Sequence, residues 1–451
     1  MGLGLHGGGL SVVKWLVKHG AKVTVTDLRD KKTLKPTLDQ LAGLSVVYVL
    51  GKHRQSDFRR AEMIIQNPAV PSTSPYLFIA AKHDVPVENE ATLFFKMSPA
   101  PILGVTGTRG KSTTTALLGQ MIKRRYPKSV VCGNIRTTTM FAVLDKLTKS
   151  APAVVELSSQ QLERLGHERL SPKLAVFTNL MVDHLNRYLN IQDYFDAKAN
   201  IVRWQTRNDL AVLNYDNVWA RKLAKLTPAR VFWFSLKASP ELDRGAFLVG
   251  EELVWRRPRR QQKIIDVSEL ALNGEHNIAN ALAASAAALA FGVSLNNVRQ
   301  ALKSFSGLPY RQELVRRLSD VDYVNDTTAT TPDATIAALK TLRVTDRPNI
   351  ILIVGGEDKN LDFRALAKVI KTACRALVLL PGSGTDKLFP LLPKALTINE
   401  AHDMAEAVWQ AKELAERGDV VLLSPGAASF GLFLHEFDRG DQFNQAVSLL
   451  N

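Results

Sequence analysis

The run Ile102-Leu103-Gly104-Val105-Thr106-Gly107-Thr108-Arg109-Gly110-Lys111-Ser112-Thr113 decides how the chain reads. Its first five residues fit a buried strand, its glycines a tight turn, and a helical stretch over 111–124 follows. Strand, glycine-rich turn and helix in that order are the setting of a phosphate-binding loop. Glycines let backbone N–H groups close round phosphate oxygens, and the helix N-terminus adds its positive dipole end. Lys111 suits the β- and γ-phosphates, and the Ser112 hydroxyl suits Mg2+. The strict pattern has glycine where Val105 stands, so this loop is a variant. Gly107, Thr108, Gly110, Lys111, Ser112 and Thr113 are the expected nucleotide contacts.

A nucleotide site also needs a carboxylate for its metal. Ala153-Val154-Val155-Glu156-Leu157 places one inside an apolar run, where burial is unfavourable unless the group is paired or metal-bound. Ligands gather at the carboxyl ends of parallel strands, and Mg2+ needs few protein carboxylates. Glu156 is therefore the expected metal ligand. A glutamate at a solvated strand edge is the ordinary alternative.

Further apolar runs at 174–178 and 210–213 alternate with helical segments, which implies a largely parallel sheet with helices on both faces. This central region spans 99–307, after a short linker marked by Pro99 and Pro101. A third region, 308–451, opens at Gly307-Leu308-Pro309. Its strand-like runs at 349–354, 376–380 and 420–423 are followed by Gly, Pro and Ser respectively. The first region, 1–98, has Gly2-Leu3-Gly4-Leu5-His6-Gly7-Gly8-Gly9, then a helix over 10–19 and a strand over 22–27. That is a glycine loop, helix and strand with an acid, Asp27, about 20 positions on. No hydrophobic strand precedes the first glycine, so a truncated or late-started N-terminus and a weakened first domain are expected. The fold class is α/β in three domains.

The 451 residues are 46% hydrophobic and 22% charged, ordinary for globular domains. Two cysteines, Cys132 and Cys374, form no disulfide or zinc spacing and suggest a reducing compartment. With no membrane-length apolar run and no leader pattern, the reading is cytoplasmic. The net charge of +15 suits anionic partners without choosing among them. Arg256-Arg257-Pro258-Arg259-Arg260 reads as a solvated turn between two strands.

At this point the motifs resemble, in collinear order, those of the Mur ligase superfamily. The phosphate loop comes first, then Glu156-Leu157-Ser158-Ser159, Thr178-Asn179-Leu180-Met181-Val182-Asp183-His184 and Asp196-Ala197-Lys198-Ala199. Gly274-Glu275-His276-Asn277-Ile278-Ala279-Asn280, Gly307-Leu308-Pro309-Tyr310-Arg311, Leu423-Ser424-Pro425-Gly426-Ala427-Ala428-Ser429-Phe430 and Asp438-Arg439-Gly440 follow. The set covers almost the whole chain. It is most similar to the branch that adds D-glutamate to UDP-N-acetylmuramoyl-L-alanine.

The resemblance implies Rossmann-like first and third domains around a central ATPase domain, and a monomer using ATP and two Mg2+ ions. The carboxylate is activated as an acyl phosphate, then attacked by the amine. Lys111 would hold the phosphates. Ser112 and Glu156 would bind one Mg2+, and His184 the other. Lys198 resembles the family lysine that CO2 carbamylates; by itself it would pass for a surface lysine. Asn277 and Asn280, on one helix face, resemble adenine and ribose contacts, and Arg311 and Asp326 nucleotide contacts from the third domain. Leu5, His6, Asp27, Arg29, Asn67, Asn134 and Ser158 match positions toward the nucleotide-sugar. Thr330, Lys359, Ser429 and Phe430 match positions toward the amino acid.

Two departures stand out. Asp326-Thr327-Thr328-Ala329-Thr330-Thr331 has Thr328 where the branch carries lysine, so it offers no charge there to the incoming amino acid's carboxylates; Lys359 can still supply charge. Arg136 stands where glycine is usual. The rivals are a ligase for another amino acid, a folylpolyglutamate synthetase, a nucleic-acid-dependent ATPase and a binding protein without turnover. The N-terminal glycine loop disfavours the folate enzyme. No aromatic-interleaved basic surface supports nucleic-acid binding. Retained Lys111, Glu156, His184 and Lys198 speak against a protein without turnover.

Overall fold

The computed structural model describes residues 1–5, 7–135, 138–183, 187–272, 274–343 and 347–451. The chain divides into two compact units, Met1–Ala271 with Asn277–Phe305, and Leu272–His276 with Ser306–Asn451.

In the first unit, β1 (Val23–Asp27) and β2 (Val46–Leu50) pair in parallel, as do β3 (Ile64–Ile65) and β4 (Val87–Glu88). Met1 and Gly2 lie between these pairs. Gly2 N–H donates to the Thr26 carbonyl, Asn67 N–H to the Met1 carbonyl, and the Met1 ammonium to Ile65 O. Burial pushes that ammonium down to about 6. The glycine run enters the helix Gly8–Lys18, two residues earlier than the apolar pattern suggests. A β-carbon on Gly9 would stand 2.1 Å from Leu3 O, so only glycine lets the helix start this close to the loop.

The central sheet has nine strands. They are β5 (Ile102–Thr106), β6 (Val130–Gly133), β7 (Ala153–Glu156), β8 (Leu174–Phe177), β9 (Leu210–Asn214), β10 (Arg230–Ser235), β11 (Gly245–Val249), β12 (Glu252–Arg257) and β13 (Arg260–Asp266). Their order is β13-β12-β11-β10-β9-β8-β5-β7-β6. Pairing is parallel from β6 to β11, and β12 and β13 add an antiparallel edge. β5, β7 and β8 are buried throughout, as strands covered on both faces must be. The arginine run forms the β12–β13 turn, as its Pro258 and exposed charges predict. Val12, Ala91 and Phe94 join the same core as Val155, Phe177 and Leu213, which ties the N-terminal segment to the central sheet.

The second unit is a six-stranded sheet. Its strands are β14 (Glu313–Leu318), β15 (Val321–Asn325), β16 (Ile350–Gly355), β17 (Cys374–Leu380), β18 (Thr397–Glu400) and β19 (Val420–Leu423), in the order β14-β15-β19-β16-β17-β18. All pairs but β14–β15 are parallel. Apolar clusters cover both faces. Among the described residues no helix is long and apolar enough to cross a membrane. Both cysteines are buried free thiols.

Candidate active site

The phosphate loop joins β5 to the helix Lys111–Arg125, whose N-cap Gly110 is left-handed. Two glycines are required by space. A β-carbon at Gly107 (φ +150°) would stand 1.9 Å from Thr178 Oγ1, and one at Gly110 (φ +79°) 2.3 Å from Asn280 Oδ1. The segment after β8 braces the loop. Thr108 N–H donates to Asn179 O (2.8 Å), Arg109 N–H to Asn179 Oδ1 (2.9 Å), and Thr178 Oγ1 to Arg109 O (2.6 Å). Arg109 pairs with Asp183 at 3.2 Å. Lys111 Nζ donates to Thr108 O at 3.1 Å, curled over the loop. Ser112 is half-buried and Thr113 buried in the first turn of the helix.

Glu156 ends β7 beside this loop and is 2% exposed. Asn134 Nδ2 donates to its Oε1 at 3.2 Å, while Oε2 is buried with no hydrogen-bond partner among the described residues. A buried carboxylate oxygen in that state is strongly unfavourable without a cation. Sequence reasoning assigned Asn134 to the nucleotide-sugar; the structure places its side chain on Glu156. Ser158 caps the helix Ser159–His167 through a capping box with Gln161.

Lys198 is 1% exposed on the helix Ile191–Arg203. Its Nζ donates to Gly107 O at 2.8 Å and sits 4.9 Å from the centre of the Tyr194 ring. Burial first, and then the nearby Lys111 charge, hold the amine well below the usual lysine value. The surface lysine that its Ala-Lys-Ala context suggests is thus excluded. His184, His6 and Arg136 lie outside the described residues. Among the described residues no three His, Cys, Asp or Glu side chains cluster as a metal site.

Asn280 Oδ1 accepts from Thr114 Oγ1 at 3.3 Å, and its Nδ2 reaches Asn277 Oδ1 at 3.4 Å. The helix Glu275–Ala290 therefore brings both asparagines against the start of the phosphate-loop helix. In the N-terminal segment, Asp27 is buried and accepts from Leu3 N–H (2.8 Å) and Arg29 N–H (2.9 Å), so it shapes the glycine loop. Leu5 is exposed. Asn67 Oδ1 accepts from Ala69 N–H, and its Nδ2 lies 3.1 Å from where a β-carbon on Gly4 would stand.

In the second unit the candidate residues follow the carboxyl ends of β15, β16 and β19, where ligands of open α/β sheets bind. Asp326 is buried and accepts from Ser424 Oγ (2.9 Å) and Gln312 N–H (3.2 Å). Burial, opposed by these bonds and by Arg311, pushes it up to about 7. Lys359 Nζ donates to Thr330 Oγ1 at 3.1 Å, and Thr328 Oγ1 to Tyr310 O at 2.9 Å. Ser429 is buried and Phe430 63% exposed. Arg439, to which the sequence assigned no role, is fully buried. It donates to Thr327 Oγ1 (3.0 Å), Thr327 O (2.9 Å) and Ala427 O (3.3 Å), which ties the two ligand loops together. Its only sequence signal was its place in a collinear motif.

The chain matches the Mur ligase MurD-like N-terminal domain over residues 1–89, the Mur ligase middle domain over 105–288 and the Mur ligase glutamate ligase domain over 310–426. It is 46% identical to a UDP-N-acetylmuramoylalanine–D-glutamate ligase from Roseiflexus sp. (strain RS-1), covering 99% of this chain and 97% of the relative. The protein of that name from Borreliella afzelii (strain PKo) is 37% identical, covering 100% and 97%. Among solved structures, UDP-N-acetylmuramate–alanine ligase from Thermotoga maritima shares the fold at TM-score 0.65 and 22% identity, covering 99% of this chain and 98% of that one.

Proposed function

The chain belongs to the Mur ligase family, and we propose that it joins D-glutamate to UDP-N-acetylmuramoyl-L-alanine at the expense of ATP. Names carried by full-length relatives at 46% and 37% identity support the substrates. The observation that carries the chemistry is the Glu156 carboxylate, buried beside a glycine cradle, with no partner for Oε2 among the described residues.

A carboxylate does not acylate an amine unaided. Its oxygen attacks the γ-phosphorus of ATP and ADP leaves, giving an acyl phosphate. The ammonium loses one proton and the neutral amine attacks the acyl carbon; the tetrahedral intermediate loses a second proton from nitrogen and expels phosphate, and the amide remains. Each stage crowds negative charge, so fixed cations and aimed N–H groups dominate catalysis. The backbone of Gly107, Thr108 and Gly110 with Lys111 is suited to hold the β- and γ-phosphates, and Asn277 and Asn280 to hold the nucleoside. Arg311 and Asp326 are assigned to nucleotide contacts.

Glu156 and Ser112 would hold Mg2+, which when bound neutralises phosphate charge. His184 and a carbamate on Lys198 would hold a second ion. The amine of Lys198 is suited to that change. Burial favours its unprotonated form, which adds CO2 with loss of a proton, and the carbamate N–H can keep its bond to Gly107 O.

Leu5, His6, Asp27, Arg29, Asn67, Asn134 and Ser158 are assigned to the nucleotide-sugar. Asp27 acts by shaping the loop and Asn134 through Glu156. Lys359, Thr330, Ser429 and Phe430 are assigned to D-glutamate, with the Lys359 ammonium supplying the charge that Thr328 lacks. The reading makes the chain a monomeric cytoplasmic enzyme of peptidoglycan precursor synthesis, serving cell shape and division. Two buried free thiols suit that compartment.

The test is turnover with ATP, Mg2+, UDP-N-acetylmuramoyl-L-alanine and a panel of D- and L-amino acids. A product heavier by one glutamyl residue, with D-glutamate alone, supports the reading. Product with another amino acid reassigns the acceptor and puts Thr328 at fault. Silence with all of them refutes it.

A further inference from the structure

One segment touches both the glycine-loop helix and the metal-ligand end of the first unit. At one end Asn134 holds Glu156 Oε1 (3.2 Å), and Gly133 N–H donates to Thr138 O (3.1 Å). From Thr139 to Asp145 the chain follows the helix Gly8–Lys18. Thr139 Cγ2 lies 3.7 Å from the β-position of Gly7. Beside Gly8, Glu90 Oε1 accepts from Met140 N–H (3.0 Å), while Glu90 Oε2 stands 3.1 Å from the β-position of Gly8. Phe141 packs edge-on against Trp15, with ring centres 5.4 Å apart. At the far end, Asp145 accepts from Trp15 Nε1 (2.7 Å) and Lys18 Nζ (2.6 Å).

We propose that Glu90 and Asp145 are positioning residues that fasten the helix Gly8–Lys18 to the 138–146 segment and so set the glycine loop at a fixed distance from Glu156. The inference rests on the functional reading above. One substrate must place its nucleotide at the glycine loop and its reacting carboxylate near Glu156, so the separation of the two ends is a binding specification. Misplacement of about an ångström is enough to matter. Glu90 is the stronger fastening: it is 8% exposed, bonded to Met140 N–H on the segment side and packed against Gly8 on the helix side. Asp145 is half-exposed, and pairs of that kind are individually weak. It gains from accepting an indole N–H and an ammonium together.

The experiment measures kcat and each KM for wild type, Glu90→Ala, Glu90→Gln and Asp145→Ala. Glu90→Ala is expected to raise the KM for UDP-N-acetylmuramoyl-L-alanine roughly tenfold or more, the scale of one buried hydrogen bond. The KM values for ATP and D-glutamate should stay within twofold. Glu90→Gln, whose amide oxygen still accepts from Met140, is expected to recover most of the loss. Asp145→Ala, a surface change that leaves the core intact, is expected to shift the same KM alone and by less. A general folding defect would move all three constants and lower the melting temperature without rescue by glutamine. An unmoved nucleotide-sugar KM in Asp145→Ala, with Glu90→Ala unfolded or equally affected for every substrate, overturns the proposal. Wild-type protein inactive with these substrates overturns the functional reading instead. In that case UDP affinity by calorimetry, unchanged across the variants, would overturn the proposal as well.

Discussion

Lys198 Nζ reaches the Gly107 carbonyl at 2.8 Å across 91 residues of sequence, so a helix lysine forms part of the wall of the phosphate loop. Its burial, with Lys111 nearby, disfavours the ammonium and so favours the unprotonated, nucleophilic form. Carbon-13 NMR with labelled bicarbonate is expected to show a carbamate resonance in the wild type and none in Lys198→Ala. The same variant should lose activity by about 100-fold or more, the scale of removing a group that supports a metal. Lys198→Arg should not restore it.

Glu156 and Asn134 act as a pair. Asn134→Ala frees Oε1 and should raise the Mg2+ concentration needed for half-maximal rate by roughly 10- to 100-fold. Glu156→Gln should abolish turnover at any Mg2+ concentration while leaving the melting temperature equal or higher, because it removes a buried charge that has one hydrogen-bonded oxygen among the described residues. A titration of rate against Mg2+ separates the two.

Asp326 gives a pH signature. Burial pushes its carboxyl up to about 7, from the ordinary aspartate value of 3.8, so folding favours the protonated form. That contribution to stability is fully present below about pH 4 and is lost as pH rises through about 7. Urea midpoints between pH 4 and 8 should fall more steeply in wild type than in Asp326→Asn. Other buried acids such as Glu90 cancel in the difference.

Lys359 should govern the acceptor. Lys359→Ala removes a charged hydrogen bond of about 1.5–3 kcal/mol and is expected to raise the D-glutamate KM by about 10- to 100-fold, with the ATP KM unchanged. Adding Thr328→Lys, which places an ammonium on the neighbouring loop, should recover part of that loss in steady-state assays.

Features set by local chemistry were legible in the sequence. The phosphate loop, the apolar runs of β5, β7, β8, β16 and β19, and the carboxylate at the end of β7 announced themselves through glycine and apolar patterning. Features set by tertiary packing were not. Lys198 looks like any helix lysine until the helix Ile191–Arg203 turns it inward against Gly107. Arg439 is one arginine among many until its helix, Glu436–Ser448, places it between Thr327 and Ala427. Asn134 was picked out by resemblance and Asp27 by its spacing after the glycines as well, but their side chains hold Glu156 and the glycine loop, pairings that no local pattern encodes.

The most direct test of the account follows oxygen. UDP-N-acetylmuramoyl-L-alanine labelled with oxygen-18 in its alanyl carboxylate is turned over with ATP, Mg2+ and D-glutamate, and the released phosphate is weighed by mass spectrometry. The account predicts one labelled oxygen in each phosphate, carried across in the acyl phosphate, and ADP as the other product. Unlabelled phosphate, or label recovered in AMP, would contradict it.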